Sequence, residues 1–278
     1  MKKKVIITLI IIVVVIVDLT ALLYPTISNY INSHSESRAV ASYIDDVANM
    51  SDAKKQAILK AAHEYNKELL TKADRYTFTK EETAQYNRLL NIGNGVMGIL
   101  EIDKINVKLP IYHGTNAGVL QVGLGHLPGS SLPVGGKGTH AVITGHRGLP
   151  SAMLLTNLDK MKKGDTFVLY VVGEELTYRV DQIKVVAPNN VQYLGIDPTK
   201  DYCTLITCTP YGINTQRLLV RGHRIPNIPG AGWDTIHADA NQLDKVMLVL
   251  IFISPVLIAL LIYGLIKSKK IHKGGIVQ

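Results

Sequence analysis

Two long apolar runs near the ends of this chain constrain it more than anything between them. Val5–Tyr24 is twenty residues with one charge, Asp18, and Val246–Ile266 is twenty-one residues with none. At about 1.5 Å per residue, either run spans about 30 Å as a helix, the thickness of a bilayer's hydrocarbon core. A buried core helix is the plain alternative, but the length, the lack of charge and the flanking lysines argue against it. Pro255 would kink the second run without forbidding it. Lys2–Lys4 and Val5–Val17 also form the n- and h-regions of a signal peptide. No small-x-small cleavage site precedes Tyr24, which favours an uncleaved anchor.

The net charge of +8 follows these runs. Lys2, Lys3 and Lys4 against Asp18 leave +2 at one end, and Lys267, Lys269, Lys270 and Lys273 leave +4 at the other, so six of the eight charges are terminal. The middle is near neutral, and the basic balance is no argument for nucleic acid. Lysines flanking apolar runs belong on the cytoplasmic side. The expected arrangement is a membrane protein with both termini cytoplasmic and residues 25–245 outside.

Between the runs the sequence changes texture. Residues 25–95 are polar and helical in pattern. Ser51–Leu70 repeats apolar positions near a 3.6-residue period and starts at Ser51-Asp52, and a second helix is expected over Lys80–Leu90. Such a region is too thin to form a core alone and is expected to lie against the next domain. Residues 71–79 interrupt the helical pattern. From Val96 onward short β-rich runs alternate with Gly and Pro. Strands are expected over Val96–Ile102, Asn106–Ile111, His140–Thr144, Thr166–Val172, Glu175–Ala187, Cys203–Thr207 and Arg217–Arg221. Val172–Glu175 reads as a tight hairpin turn, and Pro150–Leu158 as a short helix. Many short strands with small connections favour a mainly β closed barrel or sandwich over residues 96–228. Residues 229–245 read as a linker, 246–266 as the second span and 267–278 as a basic tail.

Two cysteines exclude a disulfide-rich scaffold and a four-thiolate zinc site. Cys203 and Cys208 lie five positions apart on one expected strand, so they face opposite sides and stand about 16 Å apart. That exceeds the reach of a disulfide. Cys203 reads as a buried small hydrophobe. Cys208 ends its strand before Thr209-Pro210-Tyr211-Gly212 and is the better nucleophile candidate. A nucleophilic thiol needs a proton-transfer partner and an oxyanion stabiliser. His126, His140 and His146 are the suggestive histidines, and spacing alone does not choose among them. No metal-ligand spacing joins them.

Thr204-Leu205-Ile206-Thr207-Cys208 resembles the TLxTC signature of sortases, the cysteine transpeptidases of Gram-positive surfaces. Thr144-Gly145-His146-Arg147-Gly148-Leu149-Pro150-Ser151 resembles the segment around the sortase histidine, particularly in class C, the pilin-polymerising type. Gly125–Gly129, Cys208–Asn214 and the pair of spans also look like class C. The resemblance covers about residues 40–228. It implies a closed sortase β-barrel behind an N-terminal helical and lid region. It further implies Cys208 as nucleophile, His146 as general acid/base and Arg217 as oxyanion or substrate clamp. Arg221 is the competing arginine, an even step along the same strand, and Gln216 stands where the family often has His. Class C members carry an Asp and an aromatic residue in a lid. Here Asp74-Arg75-Tyr76 occupies the matching interruption, with Asp74 expected to pair with Arg217 and Tyr76 to cover the Cys208 sulfur. Arg75 replaces the family's Pro, which implies a more mobile lid.

The implied reaction cleaves an LPxTG-like sorting signal between Thr and Gly. The acyl-thioester on Cys208 then passes to a pilin Lys amine, with no cofactor and no metal. Three other readings stand beside it: a sortase anchoring surface proteins to cell-wall precursor, a membrane-tethered cysteine protease using water, and a non-enzymatic surface-binding ectodomain.

Overall fold

The computed structural model describes residues 2–93 and 95–227. The second expected span, the basic tail and all but the first residues beyond the barrel lie outside the described residues. The described residues form two units, 2–30 and 31–227. Among them, one helix, α1 (Lys2–Ala48), is long and apolar enough to cross a membrane, and Pro25 lies within it.

In the second unit, helices cover a barrel. Val40, Tyr43 and Val47 of α1, spaced three and four apart, are buried. The Tyr43 hydroxyl donates to the Met97 carbonyl at 3.1 Å and accepts from the Val172 N–H at 2.9 Å. Helix α2 (Asp52–Thr71) starts as expected, with Ser51 Oγ accepting from the Lys54 N–H. It buries Leu59, Ala62, Tyr65 and Leu69 in the same apolar cluster as the barrel interior. The helical region therefore shares the barrel's core. Helix α3 (Lys80–Arg88) is fixed by a capping box between Thr79 and Glu82.

The barrel has eight strands: β1 (Val96–Ile102), β2 (Val107–His113), β3 (Leu124–His126), β4 (Thr139–Thr144), β5 (Thr166–Val171), β6 (Glu174–Val186), β7 (Asp201–Thr209) and β8 (Gln216–Arg224). A short helix, α4 (Ala117–Val122), precedes β3. The sheet closes in the order β1-β2-β3-β4-β7-β8-β6-β5. Its β2–β3 and β4–β7 pairs are parallel and the rest antiparallel. The β5–β6 hairpin turns on Val172 and Gly173 alone, both at positive φ, between the paired residues Val171 and Glu174. That two-residue loop matches the right-handed twist of its strands.

Two local expectations differ from the fold. Leu124–His126 forms a strand that the sequence pattern does not announce. Pro150–Leu158 is a run of turns with one β-bridge, Leu149 to Ala152, and a 3-10 turn at Leu158–Lys160. Leu154, at φ 36°, breaks any helical path there.

Candidate active site

On strand β7, Cys203, Leu205 and Thr207 are buried on one face; on the other, Thr204 is buried against His140, and Ile206 and Cys208 towards the strand end are half-buried. Both thiols are unpaired, and burial pushes the Cys203 thiol well above its ordinary range. On one side of β7, Cys208 stands directly opposite Arg217 of β8. Opposed residues on an antiparallel pair share a face, with Cβ atoms about 4.5–5.5 Å apart. On the other side, Thr144 of β4 is level with Ile206, and the Gly145 N–H donates to the Ile206 carbonyl at 3.0 Å. The ladder ends there, and His146 follows two residues on, in the loop that leaves β4 beside β7. Cys208 and Arg217 are thus paired across β7 and β8, and His146 lies on the loop at the other side of β7.

The competing groups are engaged elsewhere. Arg221 makes a two-pronged pair with Asp181, at 3.0 and 3.1 Å, and its guanidinium lies 4.1 Å from the Tyr202 ring centre. It stands opposite Thr204, four residues or about 13 Å along the strand from Arg217's partner. Arg217 itself donates from Nη1 to the carbonyls of Gln216, at 3.0 Å, and Asn214, at 3.3 Å. His126 is fully buried, with Nδ1 at 3.0 Å from the Tyr86 hydroxyl and Nε2 at 2.8 Å from the Ser131 carbonyl. His140 is also fully buried, with Nδ1 at 2.8 Å from the Gly195 carbonyl and Nε2 at 2.7 Å from Thr204 Oγ1. Among the described residues, no group of three or more His, Cys, Asp or Glu side chains is arranged to hold a metal ion.

Burial pushes the His126 and His140 imidazoles down to about 4, so both belong to the fold as neutral rings. Between pH 6.5 and about 4 the unfolded chain binds protons there that the folded chain does not. Their stability contribution is fully present above pH 6.5 and lost as pH falls to about 4. Each should remove about 3 kcal/mol across that window. Thermal unfolding of wild type and of His140→Asn at pH 7 and pH 4.5 checks this: the wild type should lose more on acidification, and an equal loss would count against it.

A largely apolar groove of about 290 Å³ has Arg217 in its lining, while Cys208 and His146 do not line it. Its floor is a second, small cluster outside the barrel interior: Val142 of β4, Leu219 of β8, Val186 of β6 and Leu194 from the β6–β7 connection. Leu127 and Ile206 pack against this cluster. A larger cleft of about 890 Å³ lies between α2 and residues 134–139, and none of the three residues lines it.

The chain is similar to known proteins. A model of the sortase domain matches residues 100–225. The crystal structure of sortase C1 from Streptococcus agalactiae is 50% identical to this chain, covering 69% of it and 100% of that chain, at a TM-score of 0.67. The chain belongs to the sortase family. Sortase C from Streptococcus pneumoniae, whose structure is described for its pilin substrate specificity, is 43% identical over 68% of this chain and 97% of that one, at a TM-score of 0.62. Sortase D from Bacillus subtilis (strain 168) is 32% identical over 131 residues, 46% of this chain. The match spans 63% of that curated relative's length.

In this sortase the segment between α2 and α3 is fastened differently from the expectation. Asp74 spends its carboxylate within the loop, on Thr77 and on the Tyr76 N–H at 3.2 Å, and these bonds hold it below the usual carboxylate range. The expected Asp74–Arg217 ion pair does not form. Arg75 is the residue that crosses to the barrel side, donating from Nη2 to the Leu194 carbonyl at 2.8 Å. The Arg75 guanidinium lies 5.0 Å from the Tyr76 ring centre. Both residues press on Gly129, at φ 87°, where a Cβ would collide with the Arg75 carbonyl and the Tyr76 ring. Arg75 thus ties this segment to the β6–β7 connection, because a long side chain reaches an acceptor that Pro cannot.

Proposed function

We propose that this sortase is a membrane-anchored cysteine transpeptidase acting on LPxTG-like sorting signals, with a pilin Lys amine as acceptor. The observation that supports the reading is the pairing of Cys208 with Arg217 across β7 and β8, with the His146 loop leaving β4 on the other side of β7. His146 takes the Cys208 thiol proton, and attack of the resulting thiolate on the Thr carbonyl carbon forms a C–S bond and a tetrahedral oxyanion. The Arg217 guanidinium stabilises that charge through charge-assisted hydrogen bonds. His146 gives its proton to the departing Gly amine as the C–N bond breaks, leaving an acyl-thioester on Cys208. A Lys amine attacks in turn; His146 takes its proton, and the thiolate leaves.

The largely apolar groove that Arg217 helps to line suits the Leu-Pro portion of the signal, with the scissile bond towards Cys208. The apolar helix α1 supports membrane anchoring, and the lysines at Lys2–Lys4 support a barrel outside the cytoplasm. The class C relatives support the pilin acceptor. Full-length protein incubated with an LPxTG-like peptide and competing amines tests the reading. The expected product joins Thr to a Lys ε-amine of a pilin-derived peptide. Preference for an oligoglycine acceptor would point to wall anchoring, and hydrolysis alone would point to a protease.

We also read residues 71–79 as a lid over this site, held by Arg75 in place of an Asp74–Arg217 pair, with Tyr76 as its aromatic plug. Leu194, whose carbonyl Arg75 grips, lines the same groove as Arg217. Removing a hydrogen bond from a charged donor costs about 1.5–3 kcal/mol. Arg75→Ala should therefore raise the alkylation rate of Cys208 by about tenfold or more. Asp74→Asn should change it little. The reverse ranking would restore Asp74 as the fastener.

A further inference from the structure

The loop that carries His146 is tied to the two residues flanking Cys208. Thr207 donates from Oγ1 to the Gly145 carbonyl at 2.8 Å. Arg147 donates from Nη1 to Thr209 Oγ1 at 3.1 Å and from Nη2 to Asp159 Oδ2. The opposite side of the loop is held by the Leu155 N–H on the His146 carbonyl and by the Gly148 N–H on Thr156 Oγ1, each at 3.2 Å. Residues 145 and 147 are therefore each bonded to a neighbour of the thiol, and the histidine sits between them.

Arg147 is an expensive choice for that position. Its side chain is 8% exposed, and its Nε is buried with no hydrogen-bond partner. Asp159 is half-exposed, so the cost lies on the arginine: burying a guanidinium costs hydration, and an unmet donor adds to it. What an apolar residue cannot do is fix the separation of two acceptors on different elements. A rigid guanidinium fork does so, here between the end of β7 and the 3-10 turn carrying Asp159.

We propose that Arg147 is a positioning residue, whose guanidinium, braced by Asp159, locks the His146 loop onto Thr209 and so sets the imidazole against the Cys208 sulfur. This rests on the reading of Cys208 and His146 as nucleophile and general acid/base. Arg147 acts through His146 and touches no substrate. A displacement of about 1 Å in a reacting group costs about a hundredfold in rate.

The test uses the full-length protein in detergent micelles, with an LPxTG-like peptide and a Lys-containing acceptor, followed by steady-state kinetics and thermal unfolding. Arg147→Ala should lower kcat by about a hundredfold and change KM by no more than about twofold. Arg147→Lys, which reaches one acceptor at a time, should recover part of that loss. Thr209→Val leaves the arginine and its charge in place and removes only the acceptor. It should lower kcat by about tenfold at an unchanged Tm. The double variant Arg147→Ala/Thr209→Val should be no slower than Arg147→Ala, because both break one link. Wild-type kcat in Thr209→Val, additive losses in the double variant, or losses that follow Tm would each overturn the proposal. Persistent activity in Cys208→Ala would instead sink the underlying reading. An inactive Cys208→Ala beside a fully active Thr209→Val would sink the positioning role alone.

Discussion

Cys208→Ala is expected to abolish covalent product entirely while leaving the barrel folded. The half-buried thiol lies on the outer face of β7, so its loss opens no cavity in the barrel interior. An alanine there can form no acyl intermediate, and binding in the groove alone joins no peptide to an amine. Cys203→Ala makes the contrast. That thiol is fully buried, and its truncation should lower Tm and spare turnover. His146→Ala should cost about 10²–10⁴ in kcat, the usual weight of a positioned acid/base. Combined with Cys208→Ala it should add nothing, since the pair acts as one unit. Mass spectrometry of the protein after incubation with sorting-signal peptide checks the first result through the absence of an acyl adduct. Retained ligation by Cys208→Ala would return the chain to the surface-binding class.

The second large effect separates two arginines that the sequence leaves in competition. Arg217→Ala is expected to lower kcat by about 10²–10³, the cost of removing one oxyanion donor. Arg217→Lys should recover only part of it, because an ammonium cannot reproduce the guanidinium fork. Arg221→Ala should leave kcat near wild type and lower Tm, since it breaks the Asp181 pair and uncovers Tyr202. Kinetics and thermal unfolding on both variants decide the matter. A collapse of kcat in Arg221→Ala at unchanged Tm would reverse the assignment.

How far the sequence speaks for this site can be followed residue by residue. The placement of Cys203 and Cys208 on opposite faces follows from an odd spacing on a strand, and the alternation of β7 agrees. Choosing among the three histidines needs the register, since His126 and His140 declare their structural roles only through Tyr86, Ser131, Gly195 and Thr204. Strand β3 has three residues, one of them Gly125, and is too short to show a period. The turns over Pro150–Leu158 look helical because Ala152–Leu155 is locally apolar. The Leu155 N–H is instead committed to the His146 carbonyl, and the Ala152, Thr156 and Leu158 N–H groups close separate three-residue turns, so context overrides propensity. Residues 71–79 are legible as an interruption, but their fastening is not: Arg75's acceptor lies 119 positions away. Arg147 has no local signal either, because Thr209 is 62 positions distant.

The parallel pairing of β4 with β7 also has a consequence for how this protein matures. Those strands meet across residues 145–200, which include the whole β5–β6 hairpin. A contact of such sequence separation carries a large loop-closure entropy and forms slowly compared with neighbouring hairpins. His146 and Cys208 can meet only after it forms. Under the proposed function, the thiol therefore stays apart from its acid/base until the barrel closes. Catalytic competence is in this sense a readout of completed folding.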